Sequence, residues 1–313
     1  MQVRDINLGY KNYPLVCYRD RIYNQPLYNK NYNRGIRMTV CIAAFCEDGI
    51  IGISDRMVTS GDIEFEHSVS KIRSLTPSIV AMMAGDDSFQ IQILQMLDRE
   101  IAKSNDTKQA TFKVNDIALL YLKCMECIEN EKIDHNILRP LGISYSVFSA
   151  SDKELLKKDI EQFRAFNIPP TELIIMGMDD EGYHIYTINK DYINNTNQIK
   201  CYDRLGFAAI GIGGRHASSQ LMFTEYNPNC TFSESLLLIH NAKKRSEVAP
   251  GVGSNSDIVL ISSGGCKPLS NKIVSDLDNI FKSNIRKEKN ILSSAKKKID
   301  AYINNIIKES KGH

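Results

Sequence analysis

The chain has no tryptophan, and none of its apolar runs reaches the roughly 18–20 residues a membrane-spanning helix needs. Its start lacks the charged, apolar and small-residue sequence of regions that makes a secretory signal. It also lacks a cysteine framework. The eight cysteines, at 17, 41, 46, 124, 127, 201, 230 and 266, follow no regular spacing, and several lie in apolar runs. That is the pattern of buried thiols in a reducing cytoplasm, so a cytoplasmic location is expected, with no membrane contact. Cys124 and Cys127 form a C-x-x-C pair inside a helical period (Ile117, Leu120, Leu122, Met125, Ile128). No second Cys or His pair stands nearby, so no metal or other cofactor is expected. What is present is 313 residues at 42% hydrophobic, enough for one sizeable core or two modest ones.

The net charge of +2 is unevenly spread. Residues 1–37 carry seven Lys/Arg against two acids, and residues 267–313 carry eleven against five. Between them, 21 basic residues face 30 acidic ones, so an acidic body lies between two basic ends. A solvated helix face explains the basic tail more simply than nucleic-acid binding, which is not expected.

Residues 1–37 hold six of the fourteen tyrosines and show neither a helical nor an alternating period. Residues 1–38 read as a leader that is disordered, removed or not translated. Asn33-Arg-Gly-Ile-Arg37 can be encoded by a purine-rich run like a bacterial ribosome-binding site, so translation is expected to begin at Met38. From 39 onward the pattern predicts strands near 39–45, 49–55, 63–74 and 77–84, then helices over 87–103 and 112–130. Further strands are expected near 143–149, 172–178 and 182–188, with a short charged helix over 152–166 among them. A strand at 206–211, helices at 215–225 and 233–247, and a strand at 257–262 complete the body. Strands, two helices, strands, two helices and a strand suggest an α+β fold, a four-layer α/β/β/α sandwich over residues 39–265. Residues 266–313 read as a basic amphipathic helical tail with a break near Lys287–Asn290.

The segment "MTVCIAAFCEDGIIGISDRMVTSGD" is a hairpin whose first strand opens on Thr39. Counting from Thr39, Asp55 falls sixteen residues on, Thr59 twenty, Gly61 twenty-two, Lys71 thirty-two, and Ala84-Gly85 closes an apolar run. With "VSKIRSL", "IVAMMAGDDS", "ELIIMGMDDEGYHIYTI" and "FAAIGIGG", this register resembles the proteasome β-subunit and HslV family of threonine-type N-terminal-nucleophile hydrolases. The resemblance covers about 39–263. It implies the Ntn-hydrolase form of the sandwich.

It also implies roles. Thr39 would be the nucleophile, with its own α-amine as the base once residues 1–38 are gone. A free α-amine has a pKa of roughly 7.7–8.0, close to working pH. Lys71 would ease loss of the hydroxyl proton, Asp55 would hold Lys71, and the Gly85 N–H would face the oxyanion, a contribution of about 3–4 kcal/mol. Thr59 and Gly61 would form the edge on which an extended peptide lies. Val58, Val69 and Met83 would line the first specificity pocket, with Asp87 at its rim.

Two departures stand out. The family's Gly-Ser-Gly turn reads Gly211-Ile212-Gly213 here, and Ser218 and Ser219 lie a turn or more further on. In "RSEVAPGVGSNSD", Glu247 stands for the family's second acid and Pro250 occupies the place of its serine. The expectation is therefore a threonine-type peptidase acting on peptide or unfolded protein in a homo-oligomeric ring. An ATPase unfoldase is a partner that such a ring admits and that no residue here specifies. The alternatives are a catalytically silent structural subunit and an amidase acting on a small molecule.

Overall fold

The computed structural model describes residues 39–60, 63–66, 70–105, 112–143, 156–163, 168–191 and 196–310. Within them the chain is an α+β structure whose strand pairings are all antiparallel.

Strands β1 (Cys41–Cys46) and β2 (Gly49–Asp55) form the first hairpin. β3 (Met57–Ser60) and β4 (Ile63–Glu66) make a separate two-stranded ribbon. β5 (Ile72–Ser74) and β6 (Ile79–Gly85) follow. The strand expected over 63–74 is thus divided between two sheets. Helix α1 (Asp87–Asn105) starts where Asp86 Oδ1 accepts the Phe89 N–H at 2.8 Å, and α2 is Val114–Ile133. A short α3 spans 156–163, inside the helix expected over 152–166, whereas the strand expected at 143–149 falls almost wholly outside the described residues.

β7 (Thr171–Asp179) and β8 (Gly182–Asp191) join through a turn in which Asp179 Oδ1 accepts the Glu181 N–H and Gly182 takes φ +126°. β9 (Thr196–Cys201), which alternation did not reveal, pairs with β8. Next come β10 (Phe207–Ile210), α4 (Gly214–Phe223) and α5 (Phe232–Ser246), the last opened by a Thr231/Glu234 capping box. β11 (Ser256–Ser262) and β12 (Gly265–Pro268) close the first sheet, so residues 265–268 belong to the body. α6 (Asn271–Ser310) is one unbroken helix of 40 residues. The break expected near Lys287–Asn290 is absent, because that stretch contains no Gly or Pro to interrupt the hydrogen-bond ladder.

The two larger sheets run β10–β1–β2–β11–β12 and β5–β6–β7–β8–β9. Period-two alternation sorts their side chains. On β1, Cys41 and Ala43 join a core with Val80, Met82 and Ala84 of β6 and with Ile174 and Met176 of β7. Val40, Ile42 and Ala44 turn the other way, against Ala217 and Leu221 of α4 and Ile239 and Ala242 of α5. Ile79 and Ala81 of β6 pack with Phe89, Ile93 and Leu97 of α1 and with Ile117 and Tyr121 of α2. Both faces of the central strands of both sheets are therefore buried. That explains why β1, β2 and β6 read as continuous apolar runs.

Candidate active site

Thr39 is 3% exposed and lies two residues before Cys41, the first residue of β1. Cys41 Sγ donates to the Met83 carbonyl at 3.3 Å, which ties the start of β1 to the end of β6. The Met83 N–H in turn donates to the Lys71 carbonyl at 3.1 Å, so the same strand end fixes the Lys71 backbone. From there the Lys71 side chain crosses to β1. Its Nζ donates to Thr39 Oγ1 and to Asp55 Oδ1, the latter at 2.8 Å. The three residues meet although 32 positions separate the outer two.

Asp55 is fully buried at the end of β2. Its Oδ1 also accepts the Val40 N–H at 3.0 Å, and its Oδ2 accepts the N–H groups of Met57 and Gly253, each at 3.0 Å. Three backbone donors and one ammonium replace the water that burial removes from the carboxylate. They also make Asp55 the point where the start of β1, the exit from β2 and the 251–255 loop converge.

That loop has its own anchors. Lys243 on α5 is completely buried, and its Nζ donates to the carbonyls of Gly253 and Ser254 at 2.8 and 2.9 Å and to Glu247 Oε1 at 2.7 Å. Burial lowers the Lys243 pKa from its ordinary value, and the attraction of Glu247 opposes this only in part. Glu66 Oε1 accepts the N–H groups of Ser254 and Asn255 at 2.6 and 3.0 Å. Glu247, expected as the second acid of the site, thus acts on Lys243 rather than at Thr39, and Pro250 is exposed.

On the opposite flank, the Thr39 carbonyl accepts the Gly213 N–H at 3.2 Å. Gly211 has φ +81°, and a Cβ placed on it would fall 2.3 Å from the Thr39 carbonyl oxygen. Only glycine fits this turn against the threonine. Ile212, which stands where a serine was expected, packs into the core beneath α4 and α5. Ser219 is exposed and borders a groove with His216, Gln220 and Phe223. A residue that spacing did not single out contacts the turn instead: Glu172 Oε2 accepts the Gly211 N–H at 2.7 Å. Glu172 opposes Ala84 in the β6–β7 register, and Gln90 Nε2 donates to the carbonyls of both. No motif spacing links positions 172 and 39; only the strand pairing does.

Gly85 ends β6 with φ +116°, opposite Thr171, and a Cβ there would lie 2.4 Å from the Pro170 carbonyl. Met83 is half-buried beside Cys41, and Val58 lies on β3 opposite Phe65. Thr59 is on β3 as well, while Gly61 and Val69 lie outside the described residues. Asp87 is exposed in the first turn of α1.

The cluster can increase the acidity of one hydroxyl. An ammonium held by a buried carboxylate favours the alkoxide form of Thr39. Cys41 is not a competing nucleophile. Burial pushes its thiol well above the ordinary range, Asp55 and Glu172 push the same way, and the charge of Lys71 offsets only part of this. Among the described residues no three His, Cys, Asp or Glu side chains are placed to hold a metal ion, and no helix is long and apolar enough to cross a membrane. No protein-family model matches the chain, and no curated protein is similar enough to count as a relative.

Proposed function

We propose that this protein is a cytoplasmic threonine-type N-terminal-nucleophile hydrolase that cleaves peptide amides, built as a proteasome-like four-layer sandwich and working as a ring-forming oligomer. The observation that carries the reading is the Lys71 ammonium, held by Asp55 and donating to the Thr39 hydroxyl at the mouth of β1. The burial of both faces of the central strands of two antiparallel sheets, each between the other sheet and a helix pair, supports the layered architecture.

In this reaction the free α-amine of Thr39 takes the Oγ1 proton as Oγ1 attacks the amide carbonyl carbon. The oxyanion forms beside the N–H of Gly85. The ammonium returns its proton to the leaving amine, the C–N bond breaks, and a threonyl ester remains. Water, deprotonated by the same amine, then hydrolyses that ester and restores the hydroxyl. With Met38 attached, the Thr39 nitrogen is an amide and provides no base, so the uncleaved chain is inactive.

The test uses a peptide epoxyketone, which closes a ring only with a hydroxyl and a free amine on one residue. Chains whose native N-terminus is Thr39 should gain the inhibitor's mass on the N-terminal peptide and turn over fluorogenic peptides; Thr39→Ala chains should do neither. Failure of the free-Thr39 chain to be labelled would remove the proposal. The Gly-Ile-Gly turn, whose Ile212 packs into the core where the resemblance implies a serine, favours a second reading as a silent structural subunit. That reading requires the chain to assemble normally while Thr39 is never exposed in cells.

A further inference from the structure

Glu172 stands near the start of β7 on the face turned toward the other sheet. Period-two alternation fixes this. Ile174 and Met176 lie in the core between the sheets, whereas Leu173 and Ile175 pack with α1 and α2. A half-buried carboxylate on such an apolar row needs hydrogen bonds to offset its desolvation. Its Oε2 accepts the Gly211 N–H at 2.7 Å, so the side chain crosses the gap between the sheets to the residue after β10. Packed sheets lie about 10 Å apart, a span that suits Glu and leaves Asp one methylene short.

The bond falls where a small displacement matters. The Gly211 backbone lies so close to Thr39 that a Cβ would stand 2.3 Å from its carbonyl oxygen. The Gly213 N–H donates to that same carbonyl at 3.2 Å. A shift of this turn therefore shifts the Thr39 backbone. Where the resemblance implies a serine, Ile212 packs into the core, and the turn is held from the other sheet instead.

The backbone of Glu172 is tied in turn to the end of β6. Gln90 Nε2 donates to the Glu172 carbonyl at 3.2 Å and to the Ala84 carbonyl, one residue before Gly85, at 2.7 Å. Gln90 is only 1% exposed, so packing fixes its amide. A continuous run of contacts leads from Ala84 through Gln90, Glu172 and Gly211 to Thr39. Lys71 and Asp55 fix the hydroxyl; this second route fixes the backbone that carries it.

We propose that Glu172 is a positioning residue of the Thr39 site: by holding Gly211, it sets the Thr39 backbone at a fixed separation from the Gly85 N–H. The role rests on the hydrolase reading above, in which Gly85 faces the oxyanion. It acts through Gly211 and not on the substrate. Reaction needs the attacking and attacked atoms about 3–3.5 Å apart and aligned, and a misplacement of about 1 Å costs on the order of 100-fold in rate.

The test uses chains whose N-terminus is Thr39 and the peptide epoxyketone. In Glu172→Ala the limiting rate of labelling should fall about 10- to 100-fold, while the inhibitor concentration that gives half that rate stays within about twofold. Glu172→Gln presents a carbonyl oxygen at the same reach and should label within about threefold of the parent. Glu172→Asp keeps the charge but not the reach and should behave like Glu172→Ala; it decides the matter should the alanine chain not fold. Met176→Ala, on the same face of β7, should lower the urea midpoint and leave the limiting rate unchanged. Hydrogen exchange over residues 207–214 needs no turnover, and it should be faster in Glu172→Ala than in the parent and Glu172→Gln. A labelled parent with an equal rate in Glu172→Ala overturns the role and leaves the hydrolase reading standing. So does a Glu172→Gln or Met176→Ala chain that falls as far as Glu172→Ala. A parent that is never labelled removes the hydrolase reading, and this role with it.

Discussion

At the residue scale the decisive group is Asp55, a buried carboxylate with four donors. Asp55→Ala should cost about 3–5 kcal/mol of stability in urea unfolding, because it strands the Lys71 ammonium and three N–H groups away from water. A loss below about 1 kcal/mol would mean that solvent already reaches the site. Gly211 allows a finer experiment. Gly211→Ala sets a side chain against the Thr39 carbonyl in a left-handed backbone, so about 1–3 kcal/mol should be lost. Labelling at Thr39 should fall more steeply than it does for Gly182→Ala, an open turn position with nothing within 4 Å. Much of this centre was legible in the sequence, since Thr39, Asp55 and Lys71 stand in a recognisable register. Glu172 was not, because it reaches Gly211 only through the pairing of β6 with β7. The tie from Lys243 to the 251–255 loop was equally silent, since it depends on how α5 lies on the first sheet.

At the element scale, most boundaries of the long helices and of the β7–β8 hairpin followed from period and turn chemistry. β9 and β12 did not, for a physical reason. Both are edge strands, half wetted, and TNQIKC and GCKP carry too few apolar residues to show an alternation. α6 runs unbroken through Lys287–Asn290, where a break is expected from the polar run, because Lys and Glu are good helix formers. The packing of sheet on sheet gives its own prediction. Gly52 of β2 faces Met176 and Met82, and a Cβ there would sit 2.2 Å from the Met176 methyl carbon. Gly52→Val should destabilise by about 1–3 kcal/mol through overpacking. Met176→Ala in the same chain should recover part of that loss, a coupling that a double-mutant cycle measures. Simple additivity would show that the two sheets do not meet at this contact.

At the scale of the whole molecule, acid should act through the ribbon β3–β4. Burial raises the Glu66 pKa, but hydrogen bonds from Asn255 and Ser254, with the charge of Lys243, outweigh it and hold the carboxyl below its usual range. A folded pKa below the unfolded value of about 4.3 means that Glu66 contributes stability above that pH. The contribution disappears as pH falls through the folded value. The stability gap between wild type and Glu66→Gln should therefore be full near neutrality and shrink as pH drops below about 4, as read from urea midpoints across pH. A gap independent of pH would exclude the ionised form as its source. The convergence on Asp55 has one more consequence. A single carboxylate joins segments from both ends of the body, so the proposed chemistry at Thr39 would have no partly melted state in which to persist. Heat should extinguish the proposed turnover and native structure at one temperature, with no surviving fragment able to bind the hydroxyl-directed inhibitor.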